Sequence, residues 1–296
     1  VSRVAIVPQV NRRGRIILNL SADVKMPAYR PKGKRRKISP RHPSVNETTT
    51  PAADQSGSEA LGSAHPAILK FMFETNCEHE IDWQKVDLSD GFWCMIVERG
   101  QDYNFVFQMP ARVDDVETFF VVPAALQMGW KNSPAYFCGA TETVRELIRR
   151  LMALTLVSGL DVPHRHEALC LDAVTTKQTA NQPWKQPSDI LVFSHVFVDD
   201  TMNGIAGPKN RPRKGQEQLW MSRATLHAVH AIFPPPAALA NAEEKDSISE
   251  KKLNKGDAIF KRKEVLLGFE MCGDSGQNRT VKLPPDRKEK YSAQIH

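Results

Sequence analysis

The feature that most constrains this chain is an apolar run that ends in two acids. Ile190-Leu191-Val192-Phe193-Ser194-His195-Val196-Phe197-Val198 is followed directly by Asp199-Asp200. A run rich in β-branched and aromatic residues reads as a strand that crosses a core, and adjacent Asp residues read as a turn. Met202 to Ala206 is apolar again, so a return strand is expected beside the first, with both acids at the hairpin tip. Any fold for this chain must bury the hairpin and still expose its end.

Around that hairpin the chain alternates between periodic and aperiodic stretches. Arg15 to Leu20 reads as a strand after the turn Asn11-Arg12-Arg13-Gly14. Residues 26 to 64 lose all periodicity and hold the basic run Lys34-Arg35-Arg36-Lys37, as expected of an exposed loop or disordered insertion. From Trp83 to Met109 the pattern is strand, short helical turn and hairpin, with Cys94–Val97 and Tyr103–Gln108 flanking a turn at 98–102. Ser133-Pro134 opens the clearest helix, with Ser133 as N-cap and Pro134 at the first helical position. Its core stripe reads Phe137, Ala140, Val144, Leu147 and Leu151, to about Leu156. Residues 158 to 188, with Pro163, Pro183 and Pro187, read as a second, surface insertion. A helix is expected from Gln216 to Phe233, stopped by Pro234-Pro235-Pro236; a charged linker from Ala242 to Lys255 and a last strand from Glu264 to Met271 follow. The expected fold class is α+β.

Hydrophobic residues at 41% and charged residues at 25% of the 296 exclude wholesale disorder. No apolar run approaches the roughly 18 residues of a membrane-spanning helix, so no membrane partner is expected. The cysteines Cys77, Cys94, Cys138, Cys170 and Cys272 are scattered and never in CxxC spacing, which argues against a disulfide scaffold and suits a reducing, intracellular setting. Forty Lys+Arg against 34 Asp+Glu give +6, compatible with a polyanionic partner. The sequence starts at Val1 without Met or signal peptide, and a longer parent is expected.

Three carboxylates stand where chemistry could use them. Asp87 closes the apolar strand around Val86 and Leu88, and Asp199-Asp200 occupy the hairpin tip. Two hard divalent cations about 3.5–4 Å apart need such an all-oxygen cluster. Taken singly, each Asp is more simply a turn or strand-end residue.

The surrounding blocks change that balance. Val86-Asp87-Leu88-Ser89-Asp90-Gly91-Phe92-Trp93 comes first, then Leu126-Gln127-Met128-Gly129-Trp130-Lys131-Asn132-Ser133-Pro134-Ala135-Tyr136-Phe137, then Phe197-Val198-Asp199-Asp200. In this order they resemble the palm of reverse transcriptases of LTR retrotransposons and retroviruses. Val265-Leu266-Leu267-Gly268-Phe269 resembles the later Leu-Gly strand, and Arg15 to Asn19 the fingers strand. The resemblance runs from about Val4 to Leu283, apart from the insertions.

It implies a right-hand polymerase fragment, with an antiparallel palm sheet and packed helices. Fingers-like residues would be 1–82 with an insertion at 26–64; the palm would be 83–283 with insertions at 158–188 and 234–255, and 284–296 would lead toward a thumb. It also implies that Asp87, Asp199 and Asp200 hold two Mg²⁺ ions, with Mn²⁺ as a substitute, for DNA synthesis on an RNA or DNA template-primer. Arg15, Asp90, Phe92, Met128 and Gly129 would face the dNTP. Phe92 would block a ribose 2′-hydroxyl, and Arg12 or Arg13 would supply a second cation. Lys255 and Lys263 are the two candidate general acids. Thumb and RNase H segments of a Pol polyprotein would lie outside this chain, and the protein would work in a cytoplasmic particle or the nucleus.

Two rival readings stand beside it. One is an inactive or domesticated relic serving as a basic nucleic-acid-binding scaffold. The other is an RNA-directed RNA polymerase, against which Phe92 and the Gly129–Phe137 block speak. His164-Arg165-His166 with Cys170 lacks a second Cys/His pair nearby and is set aside as a zinc site. His227 and His230, three apart on a helix, read as surface or packing residues.

Overall fold

The apolar run and its return do form a hairpin, and a third strand joins it to make the central sheet. The structure, a computed structural model, describes residues 3–9, 12–21, 24–25, 41–42, 44–53, 61–109, 119–158, 162–173, 175, 179, 190–234 and 246–295. In chain order the first elements are β1 (Arg3–Gln9), β2 (Arg12–Asn19), β3 (Val24–Lys25), β4 (Arg41–His42) and α1 (Val45–Thr48). Next come α2 (Ala64–Glu74), β5 (His79–Asp87), β6 (Phe107–Gln108), β7 (Phe120–Val121) and α3 (Ser133–Ser158). Then follow β8 (Leu191–Phe197), β9 (Asp200–Pro208), α4 (Lys214–Ile232) and α5 (Glu250–Leu253). The last are β10 (Lys263–Leu266), β11 (Phe269–Cys272), β12 (Thr280–Lys282) and α6 (Pro285–Ile295). The chain is mixed α and β with antiparallel sheets. Among the described residues no helix is long and apolar enough to cross a membrane.

Two compact units emerge, Val1–Gln55 with Asp90–Phe137, and Ser56–Ser89 with Cys138–His296. The expected boundary at 82/83 therefore fails: it falls inside β5, a strand whose two ends belong to one sheet.

The second unit is built on the antiparallel order β5-β9-β8. Strand alternation sends Ile81, Trp83, Lys85 and Asp87 to one face, in register with Ala206, Gly204, Met202 and Asp200. Toward Ile81 and Trp83 that face is apolar: Ile68 and Met72 of α2 pack with Ile81, Trp83, Met202, Leu266 and Met271 in one buried cluster. Gly204 is required there, because a Cβ would meet the Phe71 ring at 2.9 Å and the Trp83 ring at 3.0 Å. The opposite face is polar yet buried. Asn203 Nδ2 donates to Gln84 Oε1 and to Thr225 Oγ1, each at 2.9 Å, and Gln84 Nε2 donates to Ser222 Oγ at 2.8 Å. Beside them Asp82 is paired with Arg211 at 2.8 Å, which also holds Glu217 at 2.5 Å. Buried charges of this kind need such partners.

The first unit is smaller. The β1–β2 hairpin and the strands β6–β7 contribute to a core of Leu18, Leu20, Phe105 and Phe107, with Val45 and Trp130 against it.

Several expectations are corrected. Strand β2 starts at Arg12, so 12–14 of the expected turn are already strand, and Asn11 lies outside the described residues. The hairpin expected at 94–108 is absent: Asp102–Phe105 forms a 3-10 turn, and β6 pairs with β7 instead. Most of insertion 26–64 lies outside the described residues, but 44–48 is a helical turn with a capping box between Ser44 and Glu47. Ser44-x-x-Glu47 is a legible signature that the reading of 26–64 as structureless passed over. Ser133 starts α3, with its hydroxyl donating to the Gln127 carbonyl at 2.6 Å. The fully buried seam of α3 is Phe137, Thr141, Val144, Ile148 and Met152, rather than the expected line through Ala140, Leu147 and Leu151. Thr141 is tolerated in it because its hydroxyl donates to the Cys138 carbonyl at 3.2 Å. The expected last strand is a hairpin, β10 turning at Leu267-Gly268 into β11.

The described parts of the two later insertions also pack, while 180–189 and 235–245 lie outside the described residues. His164, His166 and Cys170 are buried, Glu167 pairs with Arg223 at 2.6 Å, and Ser247, Ile248 and Leu253 are buried. Aperiodic sequence hid this, because these residues are inside through scattered contacts rather than along one face.

Candidate functional site

Strand register builds the carboxylate corner. Asp87, the last residue of β5, lies directly opposite Asp200, the first of β9. Phe197 also pairs with Asp200, so Val198 and Asp199 alone make the turn. Val198 sits at φ 57°, a left-handed conformation that a β-branched side chain rarely adopts. The Leu88 N–H donates to the Asp199 carbonyl at 2.8 Å, which ties the end of β5 to the turn. Asp87 and Asp200 therefore meet at one corner of the sheet, with Asp199 exposed in the adjoining turn; among the described residues the three carboxylates are not all gathered within 4.8 Å of one another.

Their environments differ. The Asp87 and Asp200 carboxyls hydrogen-bond one another, while Asp199 is exposed. Burial first, and then the Asp87 carboxyl, push Asp200 up to about 7 against the opposing pull of Lys85. Burial would raise Asp87 too, but the bonds from Asp200 and Lys252 and the charge of Lys85 hold it below the usual carboxylate range. Lys85 Nζ is 2.9 Å from Asp200 and 3.8 Å from Asp87, and Lys252 pairs with Asp87 from the other side. Burial would lower the Lys85 pKa, yet these carboxylates raise it. The corner thus concentrates negative charge in a half-buried place and draws cations to it. Asp87 and Asp200 offer carboxylate oxygens of the kind a hard divalent ion takes, and Asp199 would have to turn in from the exposed turn to join them.

Both lysines escaped the sequence reading. Lys85 was legible in principle, because it lies two residues before Asp87 on the same strand face. Lys252 was not, since α5 reaches the corner through tertiary packing: Leu88 pairs with Ile248, and the Ser249 N–H donates to the Asp87 carbonyl at 3.3 Å. The two candidate general acids are both at the surface. Lys255 is exposed in the turn after α5, and Lys263 is exposed at the start of β10, opposite Cys272.

The residues expected to face a nucleotide all belong to the first unit. Arg15 lies on β2 opposite Val7. Asp90 takes φ 52° just before the 3-10 turn Gly91–Cys94, and its carbonyl accepts the Trp93 N–H at 2.7 Å. Phe92 is half-buried and stacks on the buried Phe137, ring centres 4.3 Å apart. Met128 and Gly129 form a turn; Gly129 has φ 101°, and a Cβ there would lie 2.6 Å from the Leu18 carbonyl oxygen, so only glycine fits. Asn46 fastens this turn, donating to the Gly129 carbonyl and accepting the Lys131 N–H, each at 2.9 Å.

A second cluster in the larger unit joins His164 and His166, set aside as a zinc site with Cys170, to His230 and Asp246. His166 Nε2 and His230 Nε2 engage the two oxygens of Asp246, at 2.7 and 2.8 Å. His164 Nε2 meets His230 Nδ1 at 2.9 Å, and Arg165 also pairs with Asp246. Burial first, then the neighbouring histidines and Arg165, lower His164 to about 3, so it is neutral. Burial likewise lowers His230, against the pull of Asp246. Cys170, which sequence proximity had grouped with these histidines, bonds the His166 carbonyl at 3.8 Å, and burial lifts its thiol to about 12.

No protein-family model matches this chain, and no curated protein matches it.

Proposed function

We propose that this chain is the fingers-palm part of an RNA-directed DNA polymerase from a retroelement Pol polyprotein. It would extend a primer on an RNA or DNA template by nucleotidyl transfer from dNTPs. The observation that carries the reading is the corner itself: Asp87 and Asp200 face each other in register, beside a two-residue turn with a left-handed Val198. Backbone strain kept at a tip that also carries exposed Asp199 is typical of functional sites. The ordered sequence blocks add the chemical class.

In this reading Asp87, Asp199 and Asp200 hold the divalent ions. Mg²⁺, when bound, supplies charge for the triphosphate and lowers the pKa of a primer 3′-hydroxyl. Asp200, about half protonated at pH 7, would give up that proton when an ion binds, and Lys85 at 2.9 Å offsets the charge of the pair. Lys252, already on Asp87, replaces Lys255 and Lys263 as the first lysine to test. Arg15, Asp90, Phe92, Met128 and Gly129 carry the nucleotide-facing roles of the resemblance. For Phe92 the expected outcome of Phe92→Val is a dNTP/NTP discrimination reduced by roughly five- to 150-fold, the equivalent of about 1–3 kcal/mol of overlap. An unchanged ratio in a folded variant would leave Phe92 as the stacking partner of Phe137 alone.

The deciding experiment is primer extension by the purified chain on poly(rA)/oligo(dT) with Mg²⁺ or Mn²⁺, run beside Asp87→Asn. Extension by the wild type and none by the variant is expected. A second reading, the inactive nucleic-acid-binding scaffold, is favoured by one feature: Lys85 and Lys252 are ion-paired with the carboxylates. Template-primer binding without extension in either ion would decide for it.

A further inference from the structure

We propose that His166, His230 and Asp246 form a site for a divalent transition metal, zinc foremost, that staples the 162–170 segment and α4 to the segment entering α5. The proposal does not depend on the polymerase reading.

The ligands come from three places in the chain and converge. One ligand atom of each residue lies within 4.8 Å of the others. The side chains of His166, His230 and Asp246 are only 10%, 12% and 14% exposed, so the ligands are already withdrawn from water. Both imidazoles present Nε2 to one carboxylate, one on each oxygen, at 2.7 and 2.8 Å. Metal–ligand bonds of 2.0–2.2 Å in a tetrahedron set ligand atoms roughly 3.3 Å apart. Replacing the shared protons by an ion therefore opens these contacts by about half an ångström and draws the imidazoles together, a side-chain adjustment rather than a refolding.

The surroundings suit an ion as well. His164 Nε2 holds His230 Nδ1 at 2.9 Å, the outer-shell contact that fixes a ligand imidazole with its other nitrogen forward. The Ile248 N–H, 3.0 Å from Asp246 Oδ1, holds the carboxylate in place. Arg165, the present countercharge of Asp246, has a side chain 53% exposed and is free to swing into water when an ion takes its place. Two imidazoles and one carboxylate, with a fourth position open to water, suit zinc and its neighbours better than magnesium. The site and the carboxylate corner would therefore take different metals.

The staple has a consequence for the corner. Asp246 begins the stretch in which Ile248 pairs with Leu88 and Lys252 reaches Asp87. Fixing Asp246 fixes the segment that delivers Lys252.

The test uses the untagged full chain, stripped with chelator and desalted, with Zn²⁺ or Co²⁺ as the only addition. About one equivalent of Zn²⁺ should survive gel filtration and raise the thermal midpoint, since an ion that binds only the folded state stabilises it. Co²⁺ should give visible bands without thiolate charge transfer. Asp246→Asn and His230→Gln should each weaken binding by about 100-fold, and His164→Ala, a positioning change, by about 10- to 100-fold. Cys170→Ser should change nothing. Wild-type chain that retains no Zn²⁺ and shows no thermal shift would overturn the proposal without recourse to any variant. So would binding that persists unweakened in the folded His166→Gln/His230→Gln variant.

Discussion

The carboxylate corner and the histidine cluster belong to the same unit, and each gathers ionisable groups away from water, yet they are built differently. The corner is set by register. Once β5 pairs with β9, Asp87 must face Asp200, and the two-residue turn must carry Asp199. The cluster is set by packing. His164 and His166 sit in an irregular segment, His230 on α4 and Asp246 beyond it, and no ladder dictates that they meet. The corner holds like charges together and needs cations. The cluster surrounds one carboxylate with donors and is neutralised from within. Groups forced together by register carry strain that chemistry can use; groups brought together by packing more readily hold a fold.

That contrast can be broken. The largest effect expected is on catalysis: Asp199→Asn should cut primer extension by more than about 100-fold, the scale of a lost metal ligand, while circular dichroism stays unchanged. Asp199 is exposed, so its loss should scarcely touch stability. The cluster should behave in the opposite way. Asp246→Ala leaves His166 and His230 without their acceptor and should lower urea-unfolding stability by about 2–4 kcal/mol. Replacing 161–186 by a short Gly/Ser linker should likewise cost several degrees of thermal midpoint, because buried His164, His166 and Cys170 go with it.

A smaller effect concerns pH. Asp200 titrates near 7 in the folded chain, against about 4 when unfolded. Between those values the folded state binds the extra proton, so this group's contribution to stability falls as pH rises from about 4 to 7. Asp200→Asn should flatten that slope by about 1–3 kcal/mol between pH 5 and 8, with the gain at pH 8. Mg²⁺ should stabilise wild type at pH 8 more than at pH 5. An identical pH profile in the variant would mean that the Asp87–Asp200 contact does not hold a proton. The smallest change is Val198→Gly, which should raise stability by about 0.5–1 kcal/mol by relieving the left-handed turn, partly offset by glycine's entropy. A loss of stability there would show that the turn is not strained.

Much of the corner was legible, and little of its surroundings. The hairpin, α4 and the placement of Asp87 and Asp199-Asp200 follow from local period and turn chemistry. What failed was long-range or aperiodic. The seam of α3 shifted because Thr141 satisfies its own hydroxyl and joins the core. The hairpin expected at 94–108 gave way because Phe107 pairs with Val121, a partner that lies beyond 109–118. His164, Arg165 and His166 looked incomplete because their partners lie 64 and 80 residues further on, as 230 − 166 and 246 − 166.

The sequence by itself determined the central hairpin, the helix that follows it, where the acids fall and the order of the blocks. Those depend on neighbours two to four positions away, which the chain carries with it. Only the tertiary structure decided that Lys252 answers Asp87, and that His230 and Asp246 complete what His164 and His166 begin. Such meetings depend on how whole elements pack, and many different sequences of the same local pattern would pack their elements otherwise.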